Sequence, residues 1–326
     1  MPTFCRHNRF IERCPICSKT LPEHSATARP ARSARPARAP SAPRAARPGR
    51  SGRSRAEGLR VRREGRAQDD GYRSPLLPGL RASADATRLA EEIAFASGRL
   101  LALATAPTGL YGEARALQGR DPEQATWMCF MISYLCPLEG EDPFAGIRLA
   151  LAGGPLGDLE GVPLGPRTSH DPARGGATLR AFRQLLEHQA GAFSGDPGWS
   201  PRRRFERLFE RLALPGFGRM GRYDLLVTLG RLGIDELQAD SLHLAGAGAS
   251  SASDLTMLAA KRLFAIGDPV HLERRAAALA QALQVPIETL DLSLANWTAP
   301  ERATLGFPPD TSDQQALERA REALGL

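Results

Sequence analysis

The chain has 326 residues, 42% of them hydrophobic and 24% charged, with 43 Lys and Arg against 36 Asp and Glu for a net charge of +7, a length that one large domain or two smaller ones would fill. The N-terminus has no contiguous apolar stretch of the kind a signal peptide needs, and no run approaches the roughly 18 apolar residues of a membrane span, so a soluble, cytoplasmic protein with no membrane partner is expected. Five cysteines, three of them clustered and Cys129 and Cys136 set in an apolar helical stretch, argue against a disulfide framework.

The first feature along the chain is Cys5-Arg-His7-Asn-Arg-Phe-Ile-Glu-Arg-Cys14-Pro-Ile-Cys17. Zinc takes four thiolate or imidazole ligands tetrahedrally, and a Cys-x-x-Cys turn stiffened by Pro15 supplies two of them. Cys5 and His7 complete the set, so residues 1–21 read as a small zinc knuckle. Four protein ligands leave no open position for water, and the metal is therefore expected to be structural. The bland alternative, a redox or incidental Cys-x-x-Cys, lacks the βαβ context such motifs occupy.

Residues 22–81 are dominated by Ala, Arg, Pro, Ser and Gly, cannot bury a core, and are expected to be a disordered linker. Its density of arginine suits either a salt-sensitive, sequence-blind arm for a polyanion or a self-repelling tether. Lysine occurs only at Lys19 and Lys261. With the abundance of Ala, Gly and Pro, that bias is the mark of a GC-rich bacterial genome, and it explains part of the arginine excess.

From about Ala82 the pattern is helical to the end, and residues 82–326 are predicted to be one all-α domain. Asp85 to Ala104 reads as an amphipathic helix, and Glu123 to Leu135 as a central buried one carrying Trp127, Phe130 and Met131. A short helix follows Asp142-Pro143, and a Gly/Pro-rich connector spans Gly153 to Gly176. Thr178 to Ala190 is helical again. Ser200-Pro201 is an N-cap with proline at the first helical position, opening a helix with Phe205, Leu208, Phe209 and Leu212 at core spacing. Helices are also predicted over Asp254–Ile266, Pro269–Leu283 and Thr311–Leu324, with a shorter one after Pro286.

The segment 204–232 carries the clearest functional signal. An amphipathic helix runs into Leu214-Pro215-Gly216-Phe217-Gly218 and a second helix starts at once. Gly216 and Gly218 let the backbone turn tightly and approach a phosphate, while the first amides of the second helix offer a favourable dipole to an anion. Phe217 fills the space between the helices, and Arg219 and Arg222 add charge-assisted contacts to phosphate. An ordinary glycine-capped αα-corner is the alternative.

This hairpin, the apolar helix Trp127 to Leu135 upstream and Ala239-Asp240-Ser241-Leu242-His243-Leu244 downstream resemble the helix-hairpin-helix DNA glycosylase superfamily. The resemblance implies an essential aspartate after the hairpin, a place that Asp240 occupies about two residues late. The lyase-type members carry a lysine soon after the hairpin. Here the corresponding place is near Met220 and no lysine is close by, so Schiff-base strand cleavage is not expected. Within the superfamily, residues 82–326 are most similar to the α-glutamyl/putrescinyl thymine pyrophosphorylases, clade 3, on the strength of Trp127-Met-Cys-Phe-Met-Ile-Ser-Tyr-Leu, Gly216-Phe-Gly-Arg-Met-Gly-Arg-Tyr-Asp224 and the N-terminal cysteines.

What that resemblance implies is hypermodification of a DNA base: a pyrophosphorylated 5-hydroxymethyluracil leaves the helix, and an amine such as that of glutamate or putrescine displaces the pyrophosphate. DNA and a small amine are then the partners. Such chemistry needs a flipped base, positive charge for the leaving group and a carboxylate to take a proton. Asp240 is the candidate base and Asp224 the reserve, although an acidic residue in a first helical turn is more often a solvated complement to the dipole. His243, Tyr223 and Trp297 read as structural. A monofunctional glycosylase, a non-catalytic DNA-binding module and a protein-interaction domain are the competing readings. Oligomeric state is not legible.

Overall fold

The structure, a computed structural model, describes residues 67–153, 159–187, 195–196, 198–246 and 253–326. The proposed zinc ligands Cys5, His7, Cys14 and Cys17 and most of the basic linker lie outside these residues. Among the described residues there are eleven helices and no strand: α1 (Ser83–Thr105), α2 (Gly109–Leu117), α3 (Pro122–Leu135), α4 (Ala145–Ala152), α5 (Gly175–Glu187), α6 (Pro201–Arg211), α7 (Arg219–Leu232), α8 (Leu255–Phe264), α9 (Pro269–Leu283), α10 (Glu288–Thr298) and α11 (Gln314–Leu324). The domain is all-helical, as the periodicity predicts.

Local chemistry accounts for five of the eleven helix starts. Asp121, Ser200, Asp254, Asp268 and Asp313 each accept a bond from the amide three residues on, and proline follows at once in three of the five cases. Each of these side chains satisfies one of the amides that a helix start leaves without an intrahelical partner. Helix α2 is absent from the sequence prediction. Its nine residues, Gly-Leu-Tyr-Gly-Glu-Ala-Arg-Ala-Leu, contain two glycines and only a short apolar stripe, so packing against α3 has to supply what propensity does not.

Helix α3 is the central buried helix, with every residue from Ala125 to Leu135 inside. Phe130 stacks on Phe182 of α5 with ring centroids 3.8 Å apart. Helix α10 is buried along its whole length, packing against both α1 and α8. Several of its polar residues find partners, as where Asn296 exchanges two hydrogen bonds with the backbone of Ala303. Such pairing is what allows polar groups into a core.

Two expectations need correction. Residues 70–81, assigned by composition to the disordered linker, include an ordered, packed strap: Leu77 and Leu80 are buried, the Gly79 amide donates to the carbonyl of Leu263 at 2.8 Å, and the Tyr72 hydroxyl donates to the carbonyl of Leu324 at 2.6 Å. Three anchoring side chains suffice because the helices they meet already exist. The stretch 83–117 also contains an 18-residue window of mean hydropathy 1.2, apolar and long enough to cross a membrane by composition, contrary to the sequence expectation; 50% of that window is buried inside the fold, as in a core helix.

Cys129 and Cys136 are free and buried. Burial pushes the Cys136 thiol up to about 12, which leaves it protonated and unreactive at neutral pH.

Candidate phosphate-binding cleft

Helices α6 and α7 are joined by seven residues whose geometry follows from their sequence. The Phe217 amide donates to the carbonyl of Leu214 at 3.1 Å, with Pro215 and Gly216 between them and Gly216 at φ +74°. Proline then glycine is the pair that a type II turn requires. A Cβ on Gly216 would lie 2.9 Å from the Thr178 Oγ1 and 3.1 Å from the Arg174 Cβ, so the start of α5 is pressed directly against the turn. Thr178 donates its hydroxyl to the carbonyl of Pro215 and fixes that approach. Phe217 is buried, edge-on to Phe130 at 5.3 Å, in the interhelical position its spacing predicts.

Gly218 is the N-cap of α7 and makes no side-chain cap. The first bond of the helix runs from the Arg222 amide to the carbonyl of Gly218 at 3.2 Å. Among the described residues, the amides of Gly218, Arg219 and Met220 have no protein acceptor, and all three residues line a cleft of about 480 Å³. A Cβ on Gly218 would meet nothing within 4 Å, so the backbone is open to an approaching group. The cleft is completed by Thr168, Ser169, His170, Asp171 and Arg174 and by Gly246, Ser253 and Asp254.

The two arginines after the turn play different parts. The Arg222 guanidinium lines the cleft and donates to the carbonyls of Phe209 at 3.0 Å and Gly246 at 3.1 Å, lying 4.3 Å over the Phe209 ring. It has no carboxylate partner among the described residues. Burial and the neighbouring Arg219 lower its pKa, yet a guanidinium stays charged, and a partly desolvated cation without a counter-ion favours an anion beside it.

Arg219 turns inward instead. Its side chain is fully buried, donating through Nε and Nη2 to the two oxygens of Asp254, through Nη1 to the carbonyl of Leu242 and pairing with Asp291 at 2.8 Å. The sequence expectation that its guanidinium meets phosphate is therefore not matched by its placement; only its backbone amide faces the cleft.

Asp224 is neither solvated nor at the cleft. It accepts from the Arg167 Nε at 2.9 Å, and Arg167 also bonds Asp291, giving an alternating buried chain Asp224–Arg167–Asp291–Arg219–Asp254 that joins the connector before α5 to α7, α8 and α10. Burial alone would raise Asp291, but Arg219 and Arg167 hold it below the usual carboxylate range. Asp224 lines a much smaller interior space with Arg99, Tyr111 and Arg167.

Asp240 is exposed on the turn after α7 and does not line the cleft. That turn is held by Glu273 of α9, which accepts the amides of Leu242 and Leu244. His243 stacks on Phe209 with centroids 4.2 Å apart and burial takes its pKa down to about 4, in keeping with a structural role. Tyr223 and Trp297 are core residues.

The structure thus brings together Gly216, Gly218, Arg222 and the Arg219 backbone, and leaves Asp224 and Asp240 elsewhere. Sequence reasoning missed Thr168, Ser169, His170, Asp171 and Arg174, all in what read as a Gly/Pro-rich connector. The one available signal was the polar run Thr-Ser-His-Asp ahead of a helix. His170 is the most constrained of the group: its Nδ1 lies 3.0 Å from the Tyr134 hydroxyl, its amide donates to the Thr168 Oγ1 at 3.1 Å, and the Ser169 amide and Thr168 hydroxyl both donate to the carbonyl of Tyr134.

The stretch of chain that builds the hairpin has a recognisable counterpart. Residues 187–305 match the model of the alpha-glutamyl/putrescinyl thymine pyrophosphorylase clade 3 family. The match supports the family that the sequence suggested. It begins at the end of α5, takes in α6 to α10, and so covers the side of the cleft built by residues 213–222, Gly246, Ser253 and Asp254. Residues 168–174 fall outside it. No curated protein and no solved structure matches the chain.

Proposed function

We propose that the protein modifies a base in DNA, with a primary amine displacing pyrophosphate from a pyrophosphorylated 5-hydroxymethyluracil. The observation that carries this reading is the coincidence of two things over one segment: residues 187–305 match the thymine pyrophosphorylase family, and within them the start of α7 presents unpaired amides and the uncompensated Arg222 to an open cleft. Bare amides at a helix start with a nearby cation suit a phosphate group, whether of the DNA backbone or of the leaving pyrophosphate. A helix-hairpin-helix glycosylase-like arrangement of the domain, with the target base flipped from the stack, belongs to the same proposal.

The test is direct. The purified full-length protein is incubated with a synthetic duplex carrying one pyrophosphorylated 5-hydroxymethyluracil and either glutamate or putrescine, and the nucleosides are analysed by mass spectrometry. Release of pyrophosphate with an amine-bearing thymine as product is expected; an unchanged base with either amine sinks the reading, and an abasic site points to a glycosylase instead.

Asp240→Asn tests the sequence-derived base: loss of turnover with DNA affinity within about threefold keeps Asp240 in the mechanism, against its exposed place off the cleft. Retained turnover removes Asp240 from the mechanism. Structural zinc held by Cys5, His7, Cys14 and Cys17 is proposed from ligand spacing, and elemental analysis should find about one zinc per chain. The site of action would be the cytoplasm, on nucleoid DNA.

A further inference from the structure

The cleft holds one side chain built for proton transfer that lies outside the family match. His170 lines the cleft next to the Arg219 and Met220 backbone, and it also lines a second cleft of about 580 Å³ walled by Val162, Leu164, Leu179 and Glu160. Its ring has been given room: a Cβ on Gly175 would sit 2.4 Å from the His170 Cε1, so only glycine at that position allows the imidazole its place. Nδ1 is committed to the Tyr134 hydroxyl at 3.0 Å, and Tyr134 is itself buried with the ring edge-on at 5.4 Å. Among the described residues, nothing bonds Nε2. The hydroxyl can give or take a hydrogen bond, so the contact holds the orientation of the ring; Nε2 is the nitrogen that accepts a proton in the tautomer whose Nδ1–H donates to the Tyr134 oxygen.

We infer that His170 is the catalytic proton acceptor of the cleft, taking a proton from the incoming ammonium of the amine co-substrate. The inference rests on the proposed amine transfer and adds to it the identity of the base, in place of Asp240. In the step, the alkylammonium gives one proton to Nε2; the freed nitrogen lone pair forms a bond to the exocyclic methylene carbon of the base. The carbon–oxygen bond to pyrophosphate breaks, and its electron pair leaves with the pyrophosphate. The imidazolium then returns its proton to solvent. Asp171 is a poorer acceptor, since its exposed carboxylate already takes the Ala173 amide at 3.0 Å and lies 3.7 Å from Arg174.

The charged and titratable groups around the imidazole are Tyr134 from α3, Asp171 and Arg174 from its own segment, Arg222 and Asp254 across the cleft, and Glu160 on the side of the second cleft. Burial lowers the His170 pKa, with Asp171 opposing, so the ring is neutral and able to accept a proton at pH 7.

The experiment uses full-length protein, a duplex carrying pyrophosphorylated 5-hydroxymethyluracil and putrescine, with pyrophosphate release followed from pH 5 to 9 and DNA affinity measured in parallel. His170→Gln should bind the duplex as the parent does and lose about 10²–10⁴-fold in kcat. The low-pH fall in rate seen in the parent should vanish with it. Gly175→Ala, which pushes the ring aside, should reproduce the loss, while Tyr134→Phe should shift the low-pH limb rather than erase it. A His170→Gln protein that turns over within threefold of the parent with the same pH limb overturns the assignment and leaves the amine-transfer reading standing. A parent protein that binds the duplex and releases no pyrophosphate overturns both.

Discussion

Arg222 carries its charge where most side chains would have a counter-ion. Its donors are spent on three backbone carbonyls, those of Gly218, Phe209 and Gly246, and its plane on Phe209, which fix its position without neutralising it. Arg222→Gln should therefore weaken DNA binding across sequences and reduce the slope of log affinity against log salt by about one; an unchanged slope in anisotropy titrations at four salt concentrations would remove the residue from the interface. His243 gives a different kind of prediction. Its pKa falls from 6.5 to about 4 on burial against the aromatic rings, so between those values the unfolded chain binds the proton that the native one refuses. Its contribution is complete above pH 6.5 and is lost as the pH drops toward 4, by at most about 3 kcal/mol. Denaturant melts of the parent and of His243→Phe should diverge only in that window. The sequence treated Arg219 and Arg222 alike, three residues apart, and only the position of Asp254 at the start of α8 and Asp291 on α10 decides that one turns inward.

The hairpin between α6 and α7 is the element most fully written in the chain. Pro215-Gly216 specifies the turn, and Phe217 and the helix on either side follow from apolar spacing, which is why its place was readable. The wall facing it was not, because residues 159–174 form no regular element and owe their conformation to distant partners: residues 168–170 bond Tyr134 near the end of α3, and Arg167 bonds Asp224 and Asp291. Helix α10 read as a minor piece for a related reason: its polar Asp291, Ser293 and Asn296 look solvated until their partners are in place. The tight seat of Gly216 against α5 yields a paired test. Gly216→Val, at φ +74° and 2.9 Å from the Thr178 Oγ1, should cost about 1–3 kcal/mol of stability and most of the DNA affinity. Gly218→Ala, whose Cβ meets no protein atom, should melt within about 0.5 kcal/mol of the parent and still bind DNA less well, because the methyl stands where the phosphate approaches. Equal melting temperatures for the two variants would contradict the account of the turn.

At the scale of the molecule, charge is unevenly placed. Residues 1–66 hold 17 of the 43 Lys and Arg and only 4 of the 36 Asp and Glu, so the remaining 260 residues are net acidic. A helical domain with that balance cannot draw DNA by its overall field. Removing residues 1–66 should lower affinity for a random duplex at least tenfold at 50 mM salt and flatten its salt dependence, while a high-salt preference for the correct base, if it resides in the cleft, should survive. An unaltered titration curve would make the arm a tether only. The internal chain Asp224–Arg167–Asp291–Arg219–Asp254 has a bearing on descent as well as on folding. Every interior member neutralises two others, so loss of one strands a buried charge at about 3–5 kcal/mol, and no single replacement offers a tolerable intermediate. Among kindred proteins these five positions should drift as a bloc, either all kept or all exchanged for an apolar set, and the lineage in which the exchange occurred would reveal whether the hairpin can be held in place by packing alone.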